Sequence, residues 1–398
     1  MISVIQAQQT IDQHSAPLAN ETVSLDEIHG RVLREPVAAA EDIPAFDRSA
    51  MDGYAIRADN VTEEFAVVGE IRAGQTEDRQ LKPGQAIRIF TGARLPGDGL
   101  KVVMQEHVEA DEDRIRLIKQ NQNSNVRKRG EDARAGEVLL QPGHRLDATA
   151  AALLASVGKT SIQVSRQPRI LHLTTGDEIV PPEQKPESGQ IRNSNASLIA
   201  GLCREQGILT VRHFHAGDDL PAMLKVFSDV KAETYDLVLI SGGSGQGAYD
   251  FSTDLFQHLN ATIHFREINV RPGKPLIFGT ASSQIIFGLP GNALSHFVCF
   301  QLFVRRALEH LQARAPSTPI QGFLSDTMNG TQNARETWWP ALTSLKEGRL
   351  ECRPIAWKSS GDITRLPSAN ALIHVPVSTS SLPAGTMVNL LLTRNAHS

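Results

Sequence analysis

Little in this 398-residue chain points to a specialised environment. Its three cysteines, Cys203, Cys299 and Cys352, are too few and too dispersed among apolar neighbours for a disulfide framework or a CxxC zinc site, and they read as reduced core thiols. Aromatic residues reach only 5%, which disfavours an interleaved stacking platform for single-stranded nucleic acid. Neither sign of charge dominates. With 40 Lys+Arg against 44 Asp+Glu, the formal net charge is -4, so no global basic field is available for nucleic acid or an anionic membrane. No run approaches the ~20 apolar residues of a membrane span. The first residues lack the basic start and apolar stretch of a secretory signal, and a cytoplasmic protein is expected. Also missing are GxGxxG and GxxxxGK[ST], which disfavours a dinucleotide fold and a P-loop nucleotidase.

What remains is the composition of an ordinary globular protein, 40% hydrophobic and 21% charged. At about 150 residues per domain the length alone allows two to three domains. Ser24-Leu25-Asp26-Glu27 has a capping-box pattern, and Ile28, Val32 and Leu33 supply an apolar stripe, predicting a short helix. Between residues 45 and 143 short β-like runs alternate with Gly and Pro punctuation, predicting a small β-rich domain. Asp147 to Val157 returns to helix, so that β region reads as an insertion. From Pro168 strands and helices alternate in the manner of a parallel sheet with covering helices. After the proline-containing break at Arg314 to Pro319, short strands predict a C-terminal β-barrel or sandwich.

In an open parallel sheet, ligands bind outside the carboxyl ends of the strands. Three loops qualify: Thr174-Thr175-Gly176-Asp177-Glu178, the glycine-rich Ser241 to Asp250, and Gly288-Leu289-Pro290-Gly291-Asn292. Glycine amides at 242, 243, 245 and 247 can approach an anion closely, and the third loop aims a helix N-terminus at the same face. Glu178 and Asp250 would bring carboxylates suited to Mg²⁺ beside phosphate, and Lys274 a point charge for the same anion. His213 and His215 share a strand face but lack a third ligand at metal spacing, so they read as packing or surface residues. At the two ends of the insertion lie Asp42 to Ala55, dense in functional groups, and Arg127-Lys128-Arg129-Gly130-Glu131-Asp132. Generically the second is a solvated turn.

These segments, in this order and over nearly the whole chain, resemble the molybdopterin molybdenumtransferases (molybdenum insertases), the family that includes the E domain of gephyrin. Carrying the likeness are Asp42–Ala55, Arg88–Ala93, Val103–Glu106, Arg127–Asp132, Thr174–Glu178, Ser241–Asp250, Pro272–Pro275 and Leu289–Asn292. The resemblance implies a multidomain α/β plus β fold. It comprises an elongated helical domain (1–44 and 144–167), an inserted β-rich domain (45–143), a molybdopterin-binding α/β domain (168–315) and a C-terminal β-barrel (316–398). It further implies Mg²⁺-dependent reaction of adenylylated molybdopterin with molybdate, release of AMP, and a homodimer whose inserted domain faces its partner's cleft. The adenylyltransferase and recipient molybdoenzymes would be further partners. Carried over by position, Asp52, Asp132, Glu178 and Asp250 are the catalytic carboxylates, with Glu178 and Asp250 toward the metal. Arg127, Thr175, Asp218, Ser241, Gly242, Gly243, Lys274, Pro290, Gly291 and Asn292 are toward substrate. The family pattern SGGVSxGxxD is altered here by Gly245 and Ala248, and PGNP by Ala293. A lost hydroxyl donor bears on oxyanion binding. Two alternatives stay open: a non-catalytic dimeric scaffold for molybdopterin, and an enzyme adenylylating or hydrolysing its nucleotide.

Overall fold

The computed structural model describes every residue except 120–122, 243–247, 330–333 and 395–398, and only the backbone of 248–252. The chain forms two compact units: Met1–Arg34 with Gly143–Ala151 and Ser161–Ser398, and Glu35–Pro142 with Ala152–Thr160. Helix α1 (Val4–His14) opens on a capping box between Ser3 and Gln6 and buries Val4, Ala7 and Ile11. Strand β1 (Asn20–Ser24) follows. The helix expected after it contracts to one 3-10 turn, Leu25–Glu27, because the next residues are taken up by pairing. Val32 bridges Arg145 and Leu33 bridges Val164, while the Gly30 and Leu33 amides donate to the Leu146 and His144 carbonyls at 2.8 and 2.9 Å. The capping box was read correctly; the apolar stripe serves pairing rather than a helix face.

The second unit is built on a six-stranded sheet of β2 (Gly53–Arg57), β3 (Glu64–Ile71), β4 (Gln85–Ile89), β5 (Leu100–Met104), β6 (Val108–Asp111) and β7 (Arg114–Leu117), in the order β5-β2-β4-β3-β7-β6. Alternate residues of its strands enter two apolar clusters, one around Ile87, Ile89 and Val102 and one around Tyr54, Phe65 and Ile115. Two short ladders tie the ends of this unit together, Arg48–Ser49 with Val126–Arg127 and Val37–Ala38 with Val138–Leu140.

Next come α2 (Ala148–Ser156) and β8 (Ser161–Ser165), which pairs antiparallel with β1. The α/β region contains β9 (Ile170–Thr175), α3 (Ser194–Glu205), β10 (Val211–Ala216), α4 (Leu220–Asp229), β11 (Leu237–Ser241), α5 (Ala248–His258), β12 (Thr262–Glu267), β13 (Pro275–Ala281), β14 (Gln284–Leu289), α6 (Ala293–Cys299) and α7 (Arg305–Leu311). Its sheet runs β10-β9-β11-β14-β13-β12; the first four strands are parallel, and β13 alone runs antiparallel to both its neighbours, β14 and β12. The sheet is therefore mixed, a correction to the parallel sheet expected, because β13 and β14 are joined by a tight turn and form a hairpin.

Both faces of this sheet are buried, as the near-continuous apolar strands require. Ile170, Leu239, Phe278 and Phe287 meet α1, α3, α6 and α7 on one side, while Leu171, Val238, Ile240 and Ile286 meet α4 and α5 on the other. A fully buried Phe contributes roughly 1.5–3 kcal/mol, so Phe278 and Phe287, with Leu276, Ile285 and Leu289, hold the hairpin on the helix-covered face. The C-terminal strands β15 (Ile320–Leu324), β16 (Glu336–Lys346), β17 (Arg349–Pro354), β18 (Ala371–Val375) and β19 (Met387–Leu392) close into a five-stranded barrel, β16-β17-β15-β19-β18 and back to β16. Closure removes the open edges that a flat sheet would expose. Among the described residues no helix is long and apolar enough to cross a membrane.

Candidate functional site

Parallel register brings the carboxyl ends of four strands into line: Thr174 faces His215 and Ser241, and Ser241 faces Leu289. Strand β9 sends its connection one way to β10, and the chain then returns past it to β11. The crevice between β9 and β11 is therefore the switch point where such sheets bind ligands. Gly242 sits in it at φ +129, where an added Cβ would lie 2.5 Å from both the carbonyl oxygen and Oγ1 of Thr175. Only glycine fits. Gly243 and Gly245 lie outside the described residues, as do the side chains of Ala248 and Asp250.

Beside this crevice three carboxylates gather. Asp177 Oδ1 accepts the Asp218 amide at 3.1 Å, and Glu178 folds back over Gly176. Burial, then Glu178 and Asp177, push the Asp218 carboxyl above the ordinary carboxylate range. Among the described residues no group of three or more His, Cys, Asp or Glu is arranged to hold a metal ion. Glu178 and Asp218 instead suit the mode in which Mg²⁺ takes one or two carboxylates and completes its octahedron with water and phosphate oxygens.

Below the crevice the floor is buried and hydrogen-bonded. Ser241 Oγ lies 2.7 Å from His172 Nε2 and 3.5 Å from His296 Nε2, and His296 Nδ1 lies 3.1 Å from the Pro290 carbonyl. Ser241 is only 1% exposed, so its hydroxyl supports the floor rather than facing a ligand. Burial holds His172 well below the usual histidine range and His296 at about 4, so both stay neutral near pH 7. Thr174 Oγ1 receives Asn193 Nδ2 at 2.9 Å and meets His213 and His215 at 3.0 and 3.2 Å, which gives those two histidines a structural employment.

Farther along the same edge is a cavity of about 290 Å³ lined by Arg271, Lys274, Asn292, Arg335, Trp357 and Lys358. Four cations thus surround one space, although Lys274 also pairs with Glu267 at 3.1 Å. The Arg271 guanidinium lies 5.3 Å over the Trp357 ring, whose buried Nε1 has no hydrogen-bond partner among the described residues. The expected helix N-terminus is not open here. The Leu294 and Ser295 amides donate to the Ser360 carbonyl at 3.0 and 3.3 Å, so a barrel loop caps α6. Asn292 Nδ2 donates to Ser360 Oγ, and the Gly291 carbonyl accepts from Asn195. Pro290, Gly291 and Asn292 therefore shape this wall and join the two domains. Sequence reading missed Arg335 and Lys358 and took Trp357 for a core or partner-anchoring residue; a cationic, serine-rich loop at Lys358-Ser359-Ser360-Gly361 was the available signal.

In the second unit the two flagged segments pair with each other. Lys128 Nζ meets Asp47 at 2.7 Å, Arg129 Nε meets Asp42 at 2.7 Å, and Ile43 bridges Ala133. Arg127 pairs with Asp132 and, at 3.3 Å, with Glu131. Asp52 is exposed, and its Oδ1 accepts the amide and hydroxyl of Thr91 at 2.8 and 2.7 Å, bonds that hold the carboxyl below the usual range. Its neighbour Gly53 is forced, since a Cβ there would lie 1.9 Å from the Val103 carbonyl oxygen.

A switch-point crevice on a molybdopterin-binding-type α/β sheet, with a β-rich insertion and a closed barrel, defines the class. Three family profiles match in order: the MoeA N-terminal region (domains I and II) over residues 2–158, a probable molybdopterin binding domain over 172–310, and the MoeA C-terminal region (domain IV) over 329–393. A molybdopterin molybdenumtransferase of Staphylococcus epidermidis is 31% identical over 404 residues, spanning 99% of this chain and 96% of the relative. One of Bacillus subtilis is 33% identical over 390 residues, spanning 94% and 90%. The crystal structure of the molybdopterin biosynthesis moeA protein from Pyrococcus horikoshii OT3 superposes with a TM-score of 0.82 at 27% identity, covering 98% of this chain and all of that one. The chain belongs to the molybdopterin molybdenumtransferase family.

Proposed function

We propose that this chain, a transferase of molybdenum cofactor biosynthesis, inserts molybdate into adenylylated molybdopterin with Mg²⁺-dependent release of AMP. The observation that carries this reading is the division of charge along one sheet edge. Carboxylates Asp177, Glu178 and Asp218 lie beyond β9 and β10, and the four-cation cavity lies beside the start of β13. From β10 to β13 is four strand spacings, about 19 Å at 4.8 Å each. That length suits an extended substrate whose phosphoanhydride lies toward the acids and whose oxyanion partner lies toward the cations.

Glu178 and Asp218 would hold Mg²⁺, with Asp250 as the third acid brought by sequence position. When bound, the ion offsets charge on the phosphate that leaves. Gly242 lets the backbone approach the substrate closely, and Lys274, Arg271 and Lys358 hold molybdate by charge. The mixture of Arg and Lys gives both forked and point-like donors to an oxyanion. The reading includes a cytoplasmic homodimer in which Asp52, Arg127 and Asp132 of one protomer serve the crevice of its partner.

The test incubates purified protein with adenylylated molybdopterin, Mg²⁺ and molybdate and measures AMP and active cofactor. Molybdate-dependent AMP release, severely reduced in Asp250→Asn, is expected. Release without molybdate would identify a hydrolase, and no AMP with any oxyanion would leave a scaffold. A folded monomeric variant with full activity would overturn the shared cleft.

A further inference from the structure

A second cavity, about 720 Å³, lies at the opposite end of α3 from the crevice. Helix α3 is 12 residues long, about 18 Å at 1.5 Å per residue, and its N-cap Asn193 touches Thr174 while its last residue, Glu205, lines this cavity. Arg305 of α7, Arg145, and Thr393 and Arg394 after β19 complete the lining. The charge here is unbalanced. The Glu309 carboxylate is fully engaged by Arg305 at 3.1 Å, Arg314 at 2.7 Å, and the amide and hydroxyl of Ser317 at 2.8 and 2.6 Å. Glu205 approaches Arg394 no closer than 3.8 Å. Among the described residues, four guanidinium groups at or beside the cavity, from Arg145, Arg305, Arg394 and the neighbouring Arg314, thus meet two carboxylates.

Much of this arginine fan has structural work. Arg305 donates to the Leu392 carbonyl at 2.8 Å and Arg314 to Gln206 Oε1 at 2.8 Å. Arg145 is different. Its one hydrogen bond within the described residues runs from Nη2 to the Glu205 carbonyl at 3.1 Å, and a guanidinium has five N–H donors. Arg145 is an exposed residue whose partly desolvated guanidinium, with Arg314 and Arg305 nearby, has its pKa pulled below the usual arginine value. Thr393 adds a buried hydroxyl oxygen with no hydrogen-bond partner among the described residues. Among the described residues no aromatic side chain lines the space, so a base would find no aromatic ring to stack on there.

We infer that this cavity is a second anion site, separate from the crevice, which takes a small polyphosphate such as inorganic pyrophosphate through Arg145 and Arg394. Forked donors from two arginines match phosphate oxygens bidentately, and the absence of aromatics selects the phosphate chain over a nucleotide. The site stands whether or not the chain inserts molybdate.

Calorimetric titration of the full chain with pyrophosphate at low ionic strength tests it. Binding is expected, weakened at least tenfold in Arg145→Gln and in Arg394→Gln and unchanged in Lys274→Gln, whose side chain belongs to the other cavity. Arg394 is partly exposed near the chain end, so its variant should keep the wild-type melting temperature and the wild-type rate of AMP release. AMP should bind no more tightly than inorganic phosphate. Absence of binding at millimolar pyrophosphate, binding unaffected in both arginine variants, or binding lost in Lys274→Gln would overturn the inference.

Discussion

The two regions that the family resemblance assigns to one reaction are built on opposite physical plans. On the sheet, position is enforced by burial. Gly242 is wedged against Thr175, and Ser241, His172 and His296 form a hydrogen-bonded floor beneath it with almost no exposure. On the inserted unit, position is enforced by exposed charge. Asp42 and Asp47 each accept from a cation of the facing segment, Asp132 pairs with Arg127 within its own, and Asp52 leans on Thr91 at the surface. Buried networks of this kind are costly to disturb, whereas exposed ion pairs contribute little individually and weaken with salt. The floor fixes geometry; the crossover presents charge.

The sharpest way to break this contrast is Gly242→Ala. A methyl group 2.5 Å from two Thr175 oxygens must displace β9 or β11, at a residue whose φ of +129 already disfavours any side chain. Steady-state AMP release should fall by about 10³-fold, because small displacements of positioning groups cost about 10² and a carrier of two such groups moves here. Activity within threefold of wild type would show that the crevice tolerates what the packing forbids.

Acid should separate the regions next. His296 is depressed to about 4 from 6.5, and burial also holds His172 well below 6.5, so over this range the unfolded chain binds more protons than the folded one. That stability is present above pH 6.5 and is lost as pH falls toward 4; for His296 it amounts to about 3 kcal/mol at 1.36 kcal/mol per unit. The depressed carboxyls of Asp42, Asp47 and Asp52 act at lower pH, since their contribution is lost only below the ordinary Asp value of 3.8. Hydrogen exchange followed from pH 7 to 4 should therefore show β9, β11 and α6 losing protection before β2 and β5. His296→Gln should flatten the first trend.

How far the chain could be read in advance follows the same division. Strand ends with Thr-Thr-Gly-Asp-Glu and Ser-Gly-Gly announce a crevice because the sheet pattern is local and glycine has few other uses there. The β-rich stretch and the C-terminal barrel were equally legible from punctuation, whereas the antiparallel β13–β14 hairpin was folded into the parallel pattern. The floor was not. His172, Ser241 and His296 are far apart in sequence, and nothing in an apolar strand reveals that one histidine will be fully buried beside a serine. Capping of α6 by Ser360 joins segments 66 residues apart, so an open helix N-terminus was the natural but mistaken expectation. Arg127 to Asp132 looked like a solvated turn, and is exposed, yet its partners Asp42 and Asp47 lie more than 80 residues away.

Asp218 lies between the two plans, exposed but acidic among acids. Asp218→Asn removes repulsion with Glu178 and Asp177, so the metal-free protein should be slightly more heat-stable, while the Mg²⁺ concentration for half-maximal AMP release rises by about tenfold. A lower Mg²⁺ requirement would place the ion elsewhere.

The smallest effect is expected at the crossover, and it is the one that tests whether exposed pairs there are structural at all. In Lys128→Ala the Asp47 carboxylate loses a partner at 2.7 Å but keeps the Arg129 amide at 2.8 Å. Both side chains reach solvent, so urea unfolding should register a loss of only about 0.2–1 kcal/mol, vanishing in molar salt. Arg127→Ala should be equally mild for stability, because Asp132 is already hydrated. If the segment exists to present charge, the Arg127 variant loses AMP release by tenfold or more at unchanged stability, whereas Lys128→Ala leaves the rate within twofold. A loss of several kcal/mol in either would mean that the crossover, like the sheet floor, is held by cooperative packing, and the contrast between the two regions would fail.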